Sequence, residues 1–534
     1  MVDKQAIKQE ITNGKTALGI ELGSTRIKVV LVASDFSTIA SGGFDWENKL
    51  EDGNWTYSLE DIWAGVQAAY AEVAQKVGDE YAELQSIGSM GFSGMMHGYM
   101  AFDDKGELLV PFRTWRNSST WRAAKMLSKL FNFNIPQRFS ISHLYQAILD
   151  QESHVKNVDF ITTLGGYIHW KVTGEKILGV GDASGMFPID SVTDQFDHKM
   201  LQKFRNLKAV QQYRWDIADV LPAIRLAGEE AGHLTAAGAA LIDPTGNLQP
   251  GSIVAAPEGD AGTGMVATNS VKQRTANISA GTSAFAMVVL EKPLAQVYEV
   301  IDMVTTPDGS AVAMVHANNS SSDINAWAKL FGEFAKAIGT ELTSTELYSA
   351  LFNSVKESQP NAGELLSYGY YSGENITGMD EGRPLLVRTP TSEFSLGNLM
   401  RMNLYSAFGA MKIGLDILKE EEVTTDSVVA QGGIFKTPVI AQSILAAIMG
   451  APVTVMANAG EGGPWAMAIL SQFVTMRDAD EKLADFLDNK VFKDVKRTTL
   501  EPDQNDVIGF AEFMKNYNEG LIIERAAIEH YPAK

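Results

Sequence analysis

At 534 residues the chain is too long for one hydrophobic core, so at least two domains are expected. Its 65 acidic residues against 44 basic ones leave a formal net charge of -21, which argues against a nucleic-acid surface or an anionic membrane as partner. Cysteine is absent, which removes disulfides, a thiolate nucleophile and thiolate metal sites, and is compatible with the cytoplasmic location expected here.

Residues 1–14 mix Asp, Lys and Glu with isolated apolar residues and lack the apolar core of a signal peptide, so a mobile tail is expected. Leu18 to Leu22 then reads as a strand, Gly23, Ser24 and Thr25 as a turn, and Ile27 to Ala33 as the returning strand, with Lys28 just past the corner. Such a turn can present backbone N–H groups and hydroxyls to a phosphate, and it is equally an ordinary hairpin. Ser58 followed by Asp61 resembles a capping box, with Tyr57 placed to staple against Ile62. Ile62, Val66, Ala69, Tyr70, Val73 and Val77 recur at helical spacing behind it.

Ser86 to Ser93 reads as the next strand, ending in the loop Gly94, Met95, Met96, His97 and Gly98. Close-spaced glycines let backbone approach a ligand, and His97 at a strand end suits a substrate hydroxyl or carbonyl, although a satisfied turn histidine reads the same way. Trp115, Arg116 and Asn117 follow, then a helix from about Thr120 to Phe131. The run Gly179 to Gly185 fits neither a P-loop nor a dinucleotide fingerprint, and an Asx-type turn through Asp182 and Ser184 is the simpler reading. Leu221 to Ile242 alternates helical runs with glycine.

The middle of the chain, Ser252 to Leu290, reads as strand, acidic loop, helix, strand, glycine turn and strand. Glu258, Gly259 and Asp260 place carboxylates at a strand's C-terminal end, where open α/β sheets put their chemistry. Gly262, Thr263, Gly264 and Ala267 satisfy a G-x-G-x-x-A pattern, but the place of the second dinucleotide strand, about 20 residues on, holds another hairpin turn. That turn, Gly281, Thr282 and Ser283, repeats the one at Gly23 and points to a duplicated α/β domain with one phosphate-contacting hairpin per copy. In the second half, strands at Val312 to Val315, Pro384 to Arg388 and Ser427 to Ala430 alternate with helices at Asn325 to Ala337 and Leu399 to Leu418. Gln431, Gly432 and Gly433 then lead into a helix opened by Thr437 and Pro438, an anion or nucleotide-edge arrangement. Pro438 to Ala457 changes character midway and reads as a buried helix and a strand rather than a membrane span. A turn at Gly460 to Pro464 follows, and a last helix covers Val507 to Ile528.

In order and spacing these pieces resemble the FGGY carbohydrate kinases, of the actin and hexokinase-like ATPase superfamily, from Thr16 to about Val474. The matching pieces are Gly19 to Lys28, Ser93 to Gly98, Asp182 to Ser184, Gly259 with Asp260, Gly281 to Ser283, and Gly432 with Gly433. The Met96, His97, Gly98 loop looks most like the xylulokinase branch. The resemblance implies an α/β fold of two duplicated ribonuclease-H-like domains with an interdomain cleft. A sugar-binding domain at 15–265 and a nucleotide-binding domain at 266–534 would follow the tail. It also implies transfer of the γ-phosphoryl of ATP, with Mg²⁺, to a hydroxyl of a ketopentose such as xylulose or a related sugar. Asp260 is then the base, with Met96, His97, Gly98, Trp115 and Asn117 beside it at the sugar. Gly23, Ser24, Thr25, Lys28, Gly281, Thr282, Ser283, Gly432 and Gly433 would contact the nucleotide, and Glu21 would hold the metal through water.

Two departures stand out. Glu21 replaces the family's usual Asp, and Asn117 and Ser119 fall where xylulokinases carry Asp and Arg. They motivate a reading from another class, a non-catalytic or weakly active sugar-sensing actin-like ATPase module. Sugar and ATP are the expected partners, with neither nucleic acid nor membrane, and a homodimer stays open.

Overall fold

Runs of β-branched and small residues build one sheet in each half of the chain. In the computed structural model, which describes residues 4–456 and 462–531, the chain divides into two compact units. The first comprises Met1–Val271, Met303–Val312 and Gly460–Asp494; the second comprises Lys272–Asp302, Ala313–Ala459 and Val495–Lys534.

The first unit contains the strands β1 (Ala17–Leu22), β2 (Arg26–Val32), β3 (Thr38–Asp45), β4 (Ser89–Gly94), β5 (Glu230–His233) and β6 (Ile253–Ala255), in the order β5-β6-β4-β1-β2-β3. The short β7 (Glu258–Gly259) continues alongside β4. β1, β2 and β3 form an antiparallel meander, while β4 lies parallel to β1, and β6 parallel to β4. β4 is buried along its whole length and β1 at all but Glu21, as expected of parallel strands covered on both faces. One cover is the helix Leu59–Glu80, where Ser58 accepts from the Asp61 amide at 3.0 Å and the predicted apolar stripe from Ile62 to Val77 is buried.

The second unit repeats the plan. The second seven-stranded sheet has β8 (Thr275–Ala280), β9 (Ala284–Val289), β10 (Ile301–Thr305), β11 (Ala311–Ala317), β12 (Ser427–Gln431), β13 (Val453–Met456) and β14 (Arg497–Leu500), in the order β10-β11-β9-β8-β12-β13-β14, with Met303–Thr305 and Ala311–Val312 counted in the first unit. β8 and β9 form the hairpin, β12 is parallel to β8, β13 is parallel to β12, and β14 closes the edge antiparallel. A hairpin followed by parallel strands in both units is the duplication expected from the two glycine turns. The long helix Leu396–Glu420, capped by Ser395, packs so closely that a Cβ on Gly414 would lie 2.4 Å from Val315 Cγ1.

Several expectations are corrected. Residues 4–12 are not a mobile tail: Lys4–Thr12 is a helix whose Ile7 and Ile11 enter the first unit's core, and Glu10 accepts from the amide and hydroxyl of Ser34. Leu221 to Ile242 holds the strands Ala223–Arg225 and β5 ahead of the helix Ala236–Ile242. The compact units are not continuous in sequence, because Met303–Val312 and Gly460–Asp494 belong with the first. The reason for the second return is packing. The helix Gly462–Met476 lies against β1 and β4 at contact distance, where Gly19 and Gly91 leave room for Pro464 and Met467.

Pro438 to Ala457 is a helix and a strand as expected, Ile440–Met449 and β13, with Ala457 outside the described residues. The predicted turn at Gly460 also lies partly outside them. No helix among the described residues is long and apolar enough to cross a membrane. The closeness of the packed helix is testable. A Cβ on Gly19 would sit 1.8 Å from the Pro464 carbonyl oxygen, a backbone atom that cannot rotate away. Gly19→Ala is therefore expected to cost at least about 3 kcal/mol, the upper end for overpacking, seen as a lowered midpoint in denaturant unfolding.

Candidate active site

In the first unit the predicted residues converge at the C-terminal ends of β1, β4 and β7, the usual place for chemistry in an open α/β sheet. The Gly23–Thr25 turn is tied down through its carbonyls. Trp46 Nε1 donates to the Gly23 oxygen at 2.7 Å and the Tyr57 hydroxyl to the Ser24 oxygen at 2.6 Å, while the two rings stack at 4.1 Å. Among the described residues no acceptor meets the amides of Ser24 and Thr25, so the turn offers donors to an anion. Nothing in the residue spacing marks Trp46 or Tyr57 for this role; their aromatic segment reads as packing.

Glu21 and Lys28 face each other across the hairpin, with Lys28 Nζ 3.5 Å from Glu21 Oε2. Lost hydration raises the Glu21 pKa, and the ammonium beside it opposes that rise. Among the described residues no group of three or more His, Cys, Asp or Glu is placed to hold a metal directly. A single carboxylate such as Glu21 fits Mg²⁺, which keeps several waters and is held by one or two carboxylates plus phosphate.

Gly259 is extended, and the two carboxylates beside it part where the strand β7 gives way to a helix at Asp260. Glu258 is buried, whereas Asp260 is exposed as the first residue of the helix Asp260–Ala267. Asp260 is not that helix's N-cap, which is Gly259. Its Oδ1 instead accepts from the Met96 amide at 3.2 Å. Although its side chain reaches solvent, the protein crowded around it first, and the like charge of Glu21 second, raise the Asp260 pKa to about 6. Gly262, Thr263, Gly264 and Ala267 lie inside this helix, not in a dinucleotide loop.

His97 has φ 71°, a left-handed conformation uncommon for a non-glycine residue. Its ring stacks on Phe139 at 5.2 Å, and its Nδ1 donates to the Gly185 carbonyl oxygen at 3.2 Å. Gly185 itself is a seat: a Cβ there would meet His97 Nδ1 at 2.6 Å and Met96 Cε at 2.9 Å. Gly98 donates its amide to Arg138 and accepts from Ser140 through its carbonyl. Neither Phe139 nor Gly185 was legible as part of this loop's support.

Two predicted sugar contacts have other partners. Asn117 is buried with all its polar atoms in use: Oδ1 accepts from the Trp55 amide at 2.8 Å, and Nδ2 donates to the carbonyls of Trp55 at 2.9 Å and Thr114 at 3.0 Å. It clamps backbone and has nothing left for a sugar. Trp115 stays partly exposed, but its Nε1 donates to Ser24 Oγ at 3.1 Å and so joins this segment to the phosphate turn. The run Gly179 to Gly185 is not the Asx-type turn expected of it: Val180–Ala183 forms one turn of helix, Asp182 accepts from the distant Thr163 Oγ1 at 2.6 Å, and Ser184 donates to the Gly181 carbonyl.

The second unit brings the remaining predicted residues together. Gly281–Ser283 closes the β8–β9 hairpin, and Gly432 follows the adjacent parallel β12. A Cβ on Gly432 would lie 2.1 Å from the Ala280 oxygen, so this glycine abuts the hairpin's base. The carbonyls of Gly281 and Thr282 accept from Ser321 and Ser320. As in the first unit, among the described residues no acceptor meets the amides of Thr282 and Ser283.

Two family models match the chain, those of the N-terminal domain of the FGGY family of carbohydrate kinases over residues 16–261 and of its C-terminal domain over 276–474. The protein belongs to the FGGY family of carbohydrate kinases. It is 20% identical over 430 residues to a xylulose kinase of Haemophilus influenzae, covering 78% of this chain and 82% of that one. A solved xylulose kinase from Rhodospirillum rubrum superposes with a TM-score of 0.78 at 17% identity, covering 96% of this chain and all of that one. A gluconate kinase from Lactobacillus acidophilus superposes about as well, with a TM-score of 0.77 at 15% identity over 97% of this chain and 99% of that one.

The clamp at Asn117 makes a prediction. Asn117→Ala leaves the Trp55 amide and carbonyl without partners, and is expected to cost about 1–3 kcal/mol, read as a lowered melting temperature.

Proposed function

We propose that the protein transfers the γ-phosphoryl group of ATP to a hydroxyl of a ketopentose, xylulose or a close relative. The observation that carries this reading is Asp260, an exposed carboxylate fixed by the Met96 amide beside the His97 loop, with its pKa raised to about 6. A base poised near neutrality suits a sugar hydroxyl, which is too weak an acid to ionise unaided. The xylulose kinases among the relatives favour a ketopentose, and the Met96, His97, Gly98 loop supports the same branch.

In this reading Asp260 accepts the hydroxyl proton as the sugar oxygen attacks the γ-phosphorus and the bond to ADP breaks. His97 positions the sugar against the apolar wall of Met96. In the first unit the amides of the Gly23 turn, with Lys28, suit phosphate oxygens; in the second unit the amides of the Gly281 turn suit phosphate, and Gly432 and Gly433 suit an adenosine edge. Glu21 would hold Mg²⁺ through water, and that ion supplies charge neutralisation on the phosphates when bound. Positioning and electrostatics then carry most of the rate.

A coupled ADP-release assay over a panel of ketoses, polyols and aldonic acids tests the reading. Release that depends on a ketopentose is expected; sugar-independent release would favour a sensing ATPase, and preference for an acid would move the substrate class. Asp260→Asn should lower kcat by about a hundred- to ten-thousand-fold while calorimetry still detects sugar and nucleotide. Because Asp260 must be deprotonated to act, wild-type kcat/KM should fall as the pH drops below about 6. His97→Ala should raise the sugar KM and leave the ATP KM nearly unchanged.

A further inference from the structure

Two residues before Asp260, Glu258 is 1% exposed and has no part in the phosphoryl transfer described above. Its Oε2 accepts from the Asp182 amide at 3.0 Å, and the amides of Gly181 and Gly259 also bear on the carboxyl group. Glycines make room for it. A Cβ on Gly179 would lie 2.2 Å from Glu258 Oε1, and one on Gly181 2.3 Å from Oε2. The glycine spacing around Asp182, which fits no nucleotide motif, is thus explained by a carboxyl group that must fit between these residues.

The turn that Glu258 grips also supports the sugar loop. Ser184 accepts from the Thr305 amide at 3.1 Å, Thr305 Oγ1 donates to the Val180 carbonyl at 3.0 Å, and the next residue, Gly185, holds His97 through its carbonyl. On the other side, β7 carries Glu258 directly into Gly259 and Asp260. We propose that Glu258 is a positioning residue for the sugar: by closing the turn Gly179–Gly185 onto β7, it sets the spacing between His97 and Asp260. This rests on the kinase reading above for its sugar, and on geometry for the coupling.

The carboxyl group does this as a neutral acid. Asp182, itself 1% exposed, faces it from the turn, and Asp260 bears on Asp182 in turn; Gly165 and Gly262, on the neighbouring helices, bring no charge. Among the described residues Glu258 Oε1 and Asp182 Oδ1 have no hydrogen-bond partner. Two dehydrated carboxylates without a cation are costly, so burial first and mutual repulsion second push the Glu258 pKa well up, and the pair retains a proton at neutral pH. Ionisation of both at alkaline pH would force the turn and β7 apart.

Glu258→Ala and Glu258→Gln test this together. Alanine removes the grip and is expected to raise the sugar KM about tenfold with the ATP KM unchanged. Glutamine keeps the accepting oxygen in neutral form, so its sugar KM should stay near wild type and lose the rise that wild type shows above about pH 8. An unchanged sugar KM in the alanine variant, an equal rise for ATP, or a glutamine variant with the wild-type alkaline rise would each overturn the proposal.

Melting without substrate gives a readout independent of activity and serves if the alanine variant fails to fold. A carboxyl whose folded pKa is raised contributes stability that is full below its unfolded pKa and lost as pH rises through the folded value. Wild-type Tm should therefore decline between about pH 5 and about pH 9, and Glu258→Gln should decline less; parallel declines would overturn the acid form. If wild type shows no sugar-dependent ADP release, the kinase reading fails while this comparison still decides the state of Glu258.

Discussion

The change from strand to helix after Gly259 separates two carboxylates that a continued strand would keep on one face, and the geometry of the first unit's site depends on that separation. Glu258 goes inward to grip backbone amides, and Asp260 goes outward to solvent. Because a buried carboxylate without a cation is costly, the inward one is held close to neutral. The outward one keeps its charge near neutral pH but is raised enough to accept a proton.

Around that pair, glycine acts through the space it leaves rather than through flexibility. Gly179 and Gly181 admit the Glu258 carboxyl group, Gly185 admits His97 and Met96, and Gly19 and Gly91 admit the helix Gly462–Met476 against β1 and β4. Each of these is a contact between segments far apart in sequence. The two glycine turns use a different device, in which the carbonyls are taken up by protein donors while no acceptor among the described residues meets the next amides. In the first unit the donors are the Trp46 indole and the Tyr57 hydroxyl; in the second they are the amides of Ser320 and Ser321.

Family membership and the two-domain α/β fold are firm, but the sugar follows less directly, since similar folds carry kinases for xylulose and for gluconate. The acceptor is set by side chains lining the site, and here one expected lining residue, Asn117, is committed to the Trp55 backbone.

The periodicity of apolar residues determined the helix Leu59–Glu80 and its buried stripe, and the repeated strand–glycine–strand pattern determined the duplicated hairpins. Those are local properties, decided by side-chain period and turn chemistry within a few residues. Tertiary structure alone decided that Glu258 and Asp260 part, that Asn117 faces backbone, and that Gly460–Asp494 returns to the first unit. It also ordered the N-terminal helix, whose two buried isoleucines are too few to read as an apolar face. The physical reason is the same throughout: burial, hydrogen-bond partnership and pKa depend on atoms brought together from distant parts of the chain, and residue spacing does not encode their distances.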